Sequence, residues 1–196
     1  MLKDKVVIVT GGSGLIGREI VKDIVRKGGI AVNADIHVST DLNKREIYVD
    51  ISDEQSVREV IRTVCQKFGR IDGLVNCAYP RTKDWGTFFE EIPLDSWRKN
   101  VDLQLNSCFL FCQQVLEIMA EQGSGAIVNI ASIYGIVGND FTLYEGYGGT
   151  SPAAYSAIKG GIINFTRYLA SYYGRKGIRI NCVSPGGIFD LQHPSF

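Results

Sequence analysis

The sequence predicts an α/β fold: a doubly wound parallel sheet with helices on both faces, three αβα layers in all, built as a single domain over residues 1–196. Three observations predict it. Short β-branched runs recur at Val6-Val7-Ile8-Val9, Ile30 to Ala34, Ile47 to Val49, Leu74-Val75, Ala126 to Ile130 and Ile178 to Val183, the continuous apolar kind that a strand buried on both faces requires. Segments with apolar residues at helical spacing lie between these runs, and strand-helix alternation gives parallel pairing through crossover helices. Nearly every run is followed by a polar or glycine residue, in order Thr10-Gly11, Asp35, Asp50, Asn76, Ser132 and Pro185-Gly186. Ligands of such sheets sit beyond the carboxyl ends of the strands, so these residues also predict where the site lies.

In the first helical segment Ile16, Ile20, Ile24 and Val25 share a face, and in the second Val57, Val60, Ile61 and Val64 do so. Ser52-Asp53-Glu54-Gln55 opens the second, where acidic side chains cap free N–H groups and complement the helix dipole. Longer helical regions are expected over Leu94 to Glu121 and Pro152 to Tyr173.

Composition narrows the function. With 45% hydrophobic and 21% charged residues the chain can bury a sizeable core, and 21 basic residues balance 21 acidic ones. That neutrality argues against a nucleic-acid or membrane-surface partner and for a small-molecule ligand. No apolar run of about 18 residues could span a bilayer, and the first residues lack the apolar core of a signal peptide, so a cytoplasmic protein is expected. The five cysteines form no CxxC pair and fall mostly in apolar stretches, as small core residues do. The two histidines are far apart and join no cluster, so no metal is expected.

Thr10-Gly11-Gly12-Ser13-Gly14-Leu15-Ile16-Gly17 lies between the first strand and the first helix. Glycines there permit a tight turn that brings backbone N–H groups to a pyrophosphate, which makes the sheet Rossmann-type and the ligand a dinucleotide. Asp35, at the end of the second strand, can accept hydrogen bonds from the adenosine ribose and repel a 2′-phosphate. No cation stands beside it at Gly12, Ser13 or Ile36, so NAD is expected in preference to NADP. Asp50 and Ile51 are expected near the adenine.

Tyr155 and Lys159 in Tyr155-Ser156-Ala157-Ile158-Lys159 are four residues apart at the start of a helix and so share a face. A nearby ammonium favours phenolate, which turns a tyrosine of ordinary pKa about 10 into a useful proton donor and acceptor.

TGGSGLIG at Thr10 to Gly17, VNCA at Val75 to Ala78, IVNIAS at Ile127 to Ser132, YSAIK at Tyr155 to Lys159 and NCVSPGG at Asn181 to Gly187 together resemble the short-chain dehydrogenase/reductase family, across essentially the whole chain. The resemblance implies an NAD(H)-dependent oxidoreductase acting on an alcohol or ketone. Tyr155 would exchange a proton with the substrate oxygen, Ser132 would orient that oxygen, and Lys159 would tune the tyrosine and bind the nicotinamide ribose. It also implies cofactor contacts from the glycine loop, Asn76, Ala78, Tyr155, Lys159, Pro185, Gly186 and Ile188, and a homodimer or homotetramer formed through the two long helical regions. The wording around Thr10 to Ile36 and the long insert before Tyr155 are similar to bacterial dehydrogenases of flagellin modification and nonulosonic-acid-type sugar synthesis, which implies a sugar-related metabolite.

The chain departs from the family pattern in four places. The glycines are spaced GxxGxxG, as in the longer sugar-nucleotide-modifying branch. The asparagine usual in the helix after the fourth strand aligns with Gln104, which puts the amide role there rather than on Asn106. Tyr79 replaces a glycine and gives the nicotinamide side of the site an aromatic wall. The chain ends soon after the PGG motif, before the helix and strand that close the family's sheet, and this leaves a non-catalytic or truncated dinucleotide-binding protein as the alternative reading. Finally, Tyr155 follows Ser132 by 23 positions, a longer spacing than the family's, so residues 134–151 are expected to form a substrate-facing loop carrying Tyr134, Phe141, Tyr144 and Tyr147. Its glycines, Gly135 among them, are expected to give it backbone freedom.

Overall fold

The computed structural model describes residues 2–146 and 149–190. In chain order it contains β1 (Val6–Thr10), α1 (Leu15–Arg26), β2 (Ile30–Asp35), β3 (Glu46–Tyr48), α2 (Glu54–Phe68), β4 (Gly73–Asn76), α3 (Leu94–Val101), α4 (Ser107–Gln122), β5 (Gly125–Ile130), α5 (Ala153–Tyr173) and β6 (Ile178–Val183). The six strands pair in parallel in the order β3-β2-β1-β4-β5-β6. The order reverses between β1 and β4, and the crevice at that switch point is where an open α/β sheet binds its ligand.

Alternation along β1 sorts the core onto two faces. Val6 and Ile8 join Val32, Val57, Val60, Phe111, Leu116 and Leu169 on one side, whereas Val7 and Val9 join Ile24 and Ala31 on the other. All five β1 residues are buried, as the continuous apolar run predicts. The expected face of α1 needs one correction. Val25 is 49% exposed, and Val21 packs into the core with Ile20 and Ile24, because Val25 lies about 100° around the helix from Ile24. The predicted N-terminal cap of α2 holds, with Asp53 accepting from the Gln55 N–H at 2.9 Å; at the other end Gly69 stops the helix in the left-handed conformation.

The region expected as one helix over Leu94 to Glu121 is interrupted by a wide π-turn at Asp102–Asn106. The extra residue in that turn rotates Gln104 inward, where it is 4% exposed, while Asn106 stays exposed and bonds Asp102. Such turns concentrate at functional sites.

Asp72, just before β4, accepts hydrogen bonds from Lys5 Nζ at 2.9 Å, the Val6 N–H at 3.0 Å and Arg70 Nε at 2.7 Å. Burial alone would raise its pKa, but Arg70, the Val6 N–H and Lys5 outweigh it and bring the carboxyl to about 2. The folded value lies below the unfolded one, so this stabilisation is fully present above about pH 4 and fades as pH falls toward 2. Asp72→Asn is expected to cost about 1–3 kcal/mol at pH 7 and almost nothing at pH 2; thermal melts at the two pH values check it, and an equal loss at both would contradict the assignment.

Candidate functional site

At the end of β1 the glycine loop turns through Gly11, whose φ is +66° and whose N–H donates to Ala34 O at 2.9 Å. A Cβ on Gly17 would stand 2.1 Å from Gly11 O, so the loop closes on the helix only because residue 17 is glycine. Helix α1 begins with no side chain capping it; its first N–H groups, at Leu15, Ile16 and Gly17, have no intrahelical partner and make an anion-binding end. Ser13 and Gly14, on the rim of this loop, are exposed.

Thr10 supports the loop from beneath. It is 2% exposed, and its Oγ1 accepts from the N–H groups of Cys77 and Ala78 at 3.0 and 3.2 Å, tying the exit of β4 to that of β1. Asp35 is 5% exposed and accepts from the Ser13 N–H at 3.0 Å and the His37 N–H at 2.9 Å, so its carboxylate holds the rim of the loop. Asp50 accepts from the Ser52 N–H and hydroxyl at 2.9 and 2.7 Å, which holds the β3 exit loop beside Ile51.

Sequence reasoning missed Asn33. Its Nδ2 donates to Ser13 Oγ at 3.0 Å, and its Oδ1 is buried with no hydrogen-bond partner. The available signal was an amide in the middle of the apolar run Ala31-Val32-Asn33-Ala34.

Across the switch point, β5 ends beside Ser132, which is 4% exposed; its Oγ accepts from the Tyr134 N–H at 3.2 Å. Ile133 N–H donates to Pro185 O at 3.1 Å and so ties this corner to the exit of β6, where Gly186 and Ile188 are exposed. Tyr155 and Lys159 lie in the first turns of α5, with Lys159 Nζ 5.5 Å from the centre of the Tyr155 ring and donating to Ile130 O at 2.8 Å. Burial brings the Lys159 pKa down to about 8, against the opposing pull of Cys108 and Cys77. Gly135 does not serve as a source of freedom here. A Cβ on it would stand 2.6 Å from the carbonyl carbon of Lys159, so it allows the turn after Ser132 to press against α5.

Gln104 Nε2 donates to Pro80 O at 2.9 Å, and its Oε1 is buried without a partner. Gln104, Lys159, Thr10, Asn76 and Asn129 line a small cavity of about 20 Å³ beneath the crevice. The Asn76 side chain is committed to this floor, with Nδ2 donating to Asn129 Oδ1 at 2.8 Å; Asn129 in turn donates to Thr166 Oγ1 at 2.9 Å.

Tyr79 meets Tyr155 edge to face at 5.6 Å, and Trp85, which sequence reasoning also missed, completes a triangle at 5.9 Å from Tyr79 and 6.2 Å from Tyr155. Tyr79 keeps 40% of its surface exposed, yet desolvation of its hydroxyl, reinforced by Tyr155, pushes the phenol up to about 12. Burial, with Tyr144, Asp140 and Tyr155 nearby, also raises the Tyr134 phenol. Tyr144 sits half-buried in a single-turn helix over Phe141–Tyr144, and Tyr147 lies outside the described residues. Among the described residues no group of three or more His, Cys, Asp or Glu could hold a metal ion, and no helix is long and apolar enough to cross a membrane. Cys108 and Cys112 are buried, Cys65, Cys77 and Cys182 are half-buried, and all five are free thiols.

An uncapped helix end, a glycine turn and a carboxylate one strand away fit a dinucleotide; Ser132, Tyr155 and the buried Lys159 lie on the other side of the switch point. Comparison with known proteins agrees. The family model described as short chain dehydrogenase matches residues 5–190. The chain is 34% identical to the post-translational flagellin modification protein A of Campylobacter coli, over 98% of this chain and 80% of that protein. It is also 34% identical to levodione reductase of Leifsonia aquatica, over 95% of this chain and 70% of that one. The crystal structure of a short chain dehydrogenase from Leptospira borgpetersenii with bound NAD+ superposes with a TM-score of 0.87 at 35% identity, covering all of this chain and 76% of that one. The chain belongs to the short chain dehydrogenases and is an NAD(P)-dependent oxidoreductase of that family.

Proposed function

We propose that the chain is an NAD(H)-dependent enzyme that interconverts an alcohol and a ketone on a sugar-related metabolite, with Tyr155 exchanging the proton, Ser132 orienting the substrate oxygen, and Lys159 tuning the tyrosine and anchoring the nicotinamide ribose. The observation that carries this reading is the Lys159 ammonium, which is held by Ile130 O at the carboxyl end of β5, two residues before Ser132, and lies 5.5 Å from the centre of the Tyr155 ring. The nicotinamide, when bound, supplies or accepts the hydride. The glycine loop, Asp35, Asp50, Ile51, Ala78 and the Pro185 to Ile188 segment would hold the rest of the cofactor. Thr10 would hold the backbone of the β4 exit beneath it, and Asn76 would brace the floor through the Asn129 side chain. Gln104 takes the amide position next to Lys159, its unpartnered Oε1 available to a water or donor in the small cavity. Similarity to the Campylobacter coli flagellin modification protein supports the sugar-related substrate, and Phe109, Tyr168 and Tyr172, exposed on α4 and α5, support assembly through those helices.

Calorimetric titration tests the cofactor assignment. The protein is expected to bind NADH at least about 10-fold more tightly than NADPH, since a 2′-phosphate would face the buried Asp35 carboxylate. Asp35→Ser combined with Ile36→Arg is expected to close that gap. Equal affinities in the unmodified protein would remove Asp35 from this role, and NADH binding without turnover on a carbonyl and sugar panel would favour a non-catalytic dinucleotide-binding protein.

A further inference from the structure

The long segment between Ser132 and Tyr155 forms one wall of a separate cleft of about 360 Å³, within the size range of small-molecule sites. Thr87 to Glu90 form the other wall, and Ser156 also lines the cleft. Asn139 holds the first wall in place: its side-chain amide donates to Ser151 Oγ, and its carbonyl oxygen accepts from Ser156 Oγ at 2.7 Å. The Thr150 N–H donates to Gly86 O at 3.3 Å and joins the two walls. Both walls are tied to the reacting group, since Ser156 adjoins Tyr155 in α5 and Trp85, beside Gly86, packs on the Tyr155 ring.

The lining has a definite chemistry. Phe88, Phe89 and Phe141 leave 52%, 72% and 60% of their surfaces exposed around a concavity, which is where exposed aromatic surface marks binding. Thr87, Asn139, Thr150 and Ser156 add hydrogen-bonding groups of both kinds. Glu90 supplies a carboxylate, and among the described residues no lysine or arginine lines the cleft. A carboxylate or phosphate entering it would lose water and meet like charge with no cation to compensate.

We propose that this cleft is the specificity subsite for the non-reacting part of the substrate, that it takes an uncharged ring bearing hydroxyl or amide groups, and that Asn139 holds its wall in place beside Tyr155. The inference rests on the reading of Tyr155 as the reacting group and names the substrate class for that site.

The test uses the full chain saturated with NADH and titrates three probes, methyl β-glucopyranoside, N-acetylglucosamine and glucuronate, by calorimetry and by Trp fluorescence. The two neutral rings are expected to bind at least about 10-fold more tightly than the anionic one, and Glu90→Gln is expected to narrow the difference. Asn139→Ala and Phe89→Ala are each expected to weaken the neutral rings by about 5-fold or more with NADH affinity unchanged. Phe89 is exposed enough that its replacement leaves the fold intact, so the test stands even if Asn139→Ala does not fold. No saturable binding of any ring, equal binding of neutral and anionic rings, or neutral-ring affinity unchanged in Phe89→Ala would overturn the subsite. Failure of the unmodified protein to bind NADH would instead overturn the cofactor reading on which it rests.

Discussion

Tyr155→Phe is expected to lower hydride transfer by about 10²–10⁴-fold, the usual contribution of a positioned proton donor, while NADH affinity stays at the wild-type value. The substitution removes a hydroxyl and keeps the ring, so the edge-to-face contacts with Tyr79 and Trp85 persist and a fall in rate reports the lost proton rather than collapsed packing. Neighbouring phenols do not offer a substitute. Tyr79 is pushed up to about 12 and Tyr134 is also raised, so neither gives up its proton more readily than an ordinary tyrosine. Single-turnover measurements with bound NADH isolate the step, and a variant that transfers hydride at the wild-type rate would remove Tyr155 from the chemistry.

Lys159→Met is expected to weaken NADH binding and to slow hydride transfer, because one ammonium would serve both the ribose and the reacting phenol. The same change is expected to stabilise the cofactor-free protein. Burial holds the folded-state pKa of Lys159 at about 8 against an ordinary 10.5. Between those values the unfolded chain binds more protons than the folded one, so wild-type stability rises with pH from about 8 to 10.5. Below about pH 8 the buried ammonium costs its full penalty, about 3 kcal/mol at most from the drop from 10.5 to about 8, offset in part by the bond to Ile130 O. Without NADH at pH 7 the variant should melt at a higher temperature than wild type, and the two curves should converge above pH 10.5. Saturating NADH should reverse the order, since wild type alone retains the full binding free energy. Identical melting curves, cofactor affinity and hydride-transfer rate would mean that Lys159 carries neither role.

What the sequence alone determined here is local and periodic. Strands β1, β2 and β5 are legible because a continuous β-branched run can be satisfied only between two covered faces, and Asp53 is legible as a cap because its chemistry acts within three residues. The Gly11 to Gly17 loop and the four-residue step from Tyr155 to Lys159 were readable for the same reason. The tertiary structure decided everything that depends on which distant segments meet. Thr10 and Asn76 read as ligand-facing residues, and both turn inward once β4 and β5 settle beside β1 and offer them buried backbone and amide partners. Val25 fell outside the core because helix rotation is set by packing on the sheet and not by composition. Gln104 enters the site through a π-turn that nothing in its own stretch of sequence announces, and Trp85, Phe88 and Phe89 acquire a role only where residues 85–90 close against a loop more than fifty positions further on. Periodicity records which residues avoid water; the geometry of a site depends on contacts between segments far apart in sequence, whose entropic cost is met only by the whole assembled core.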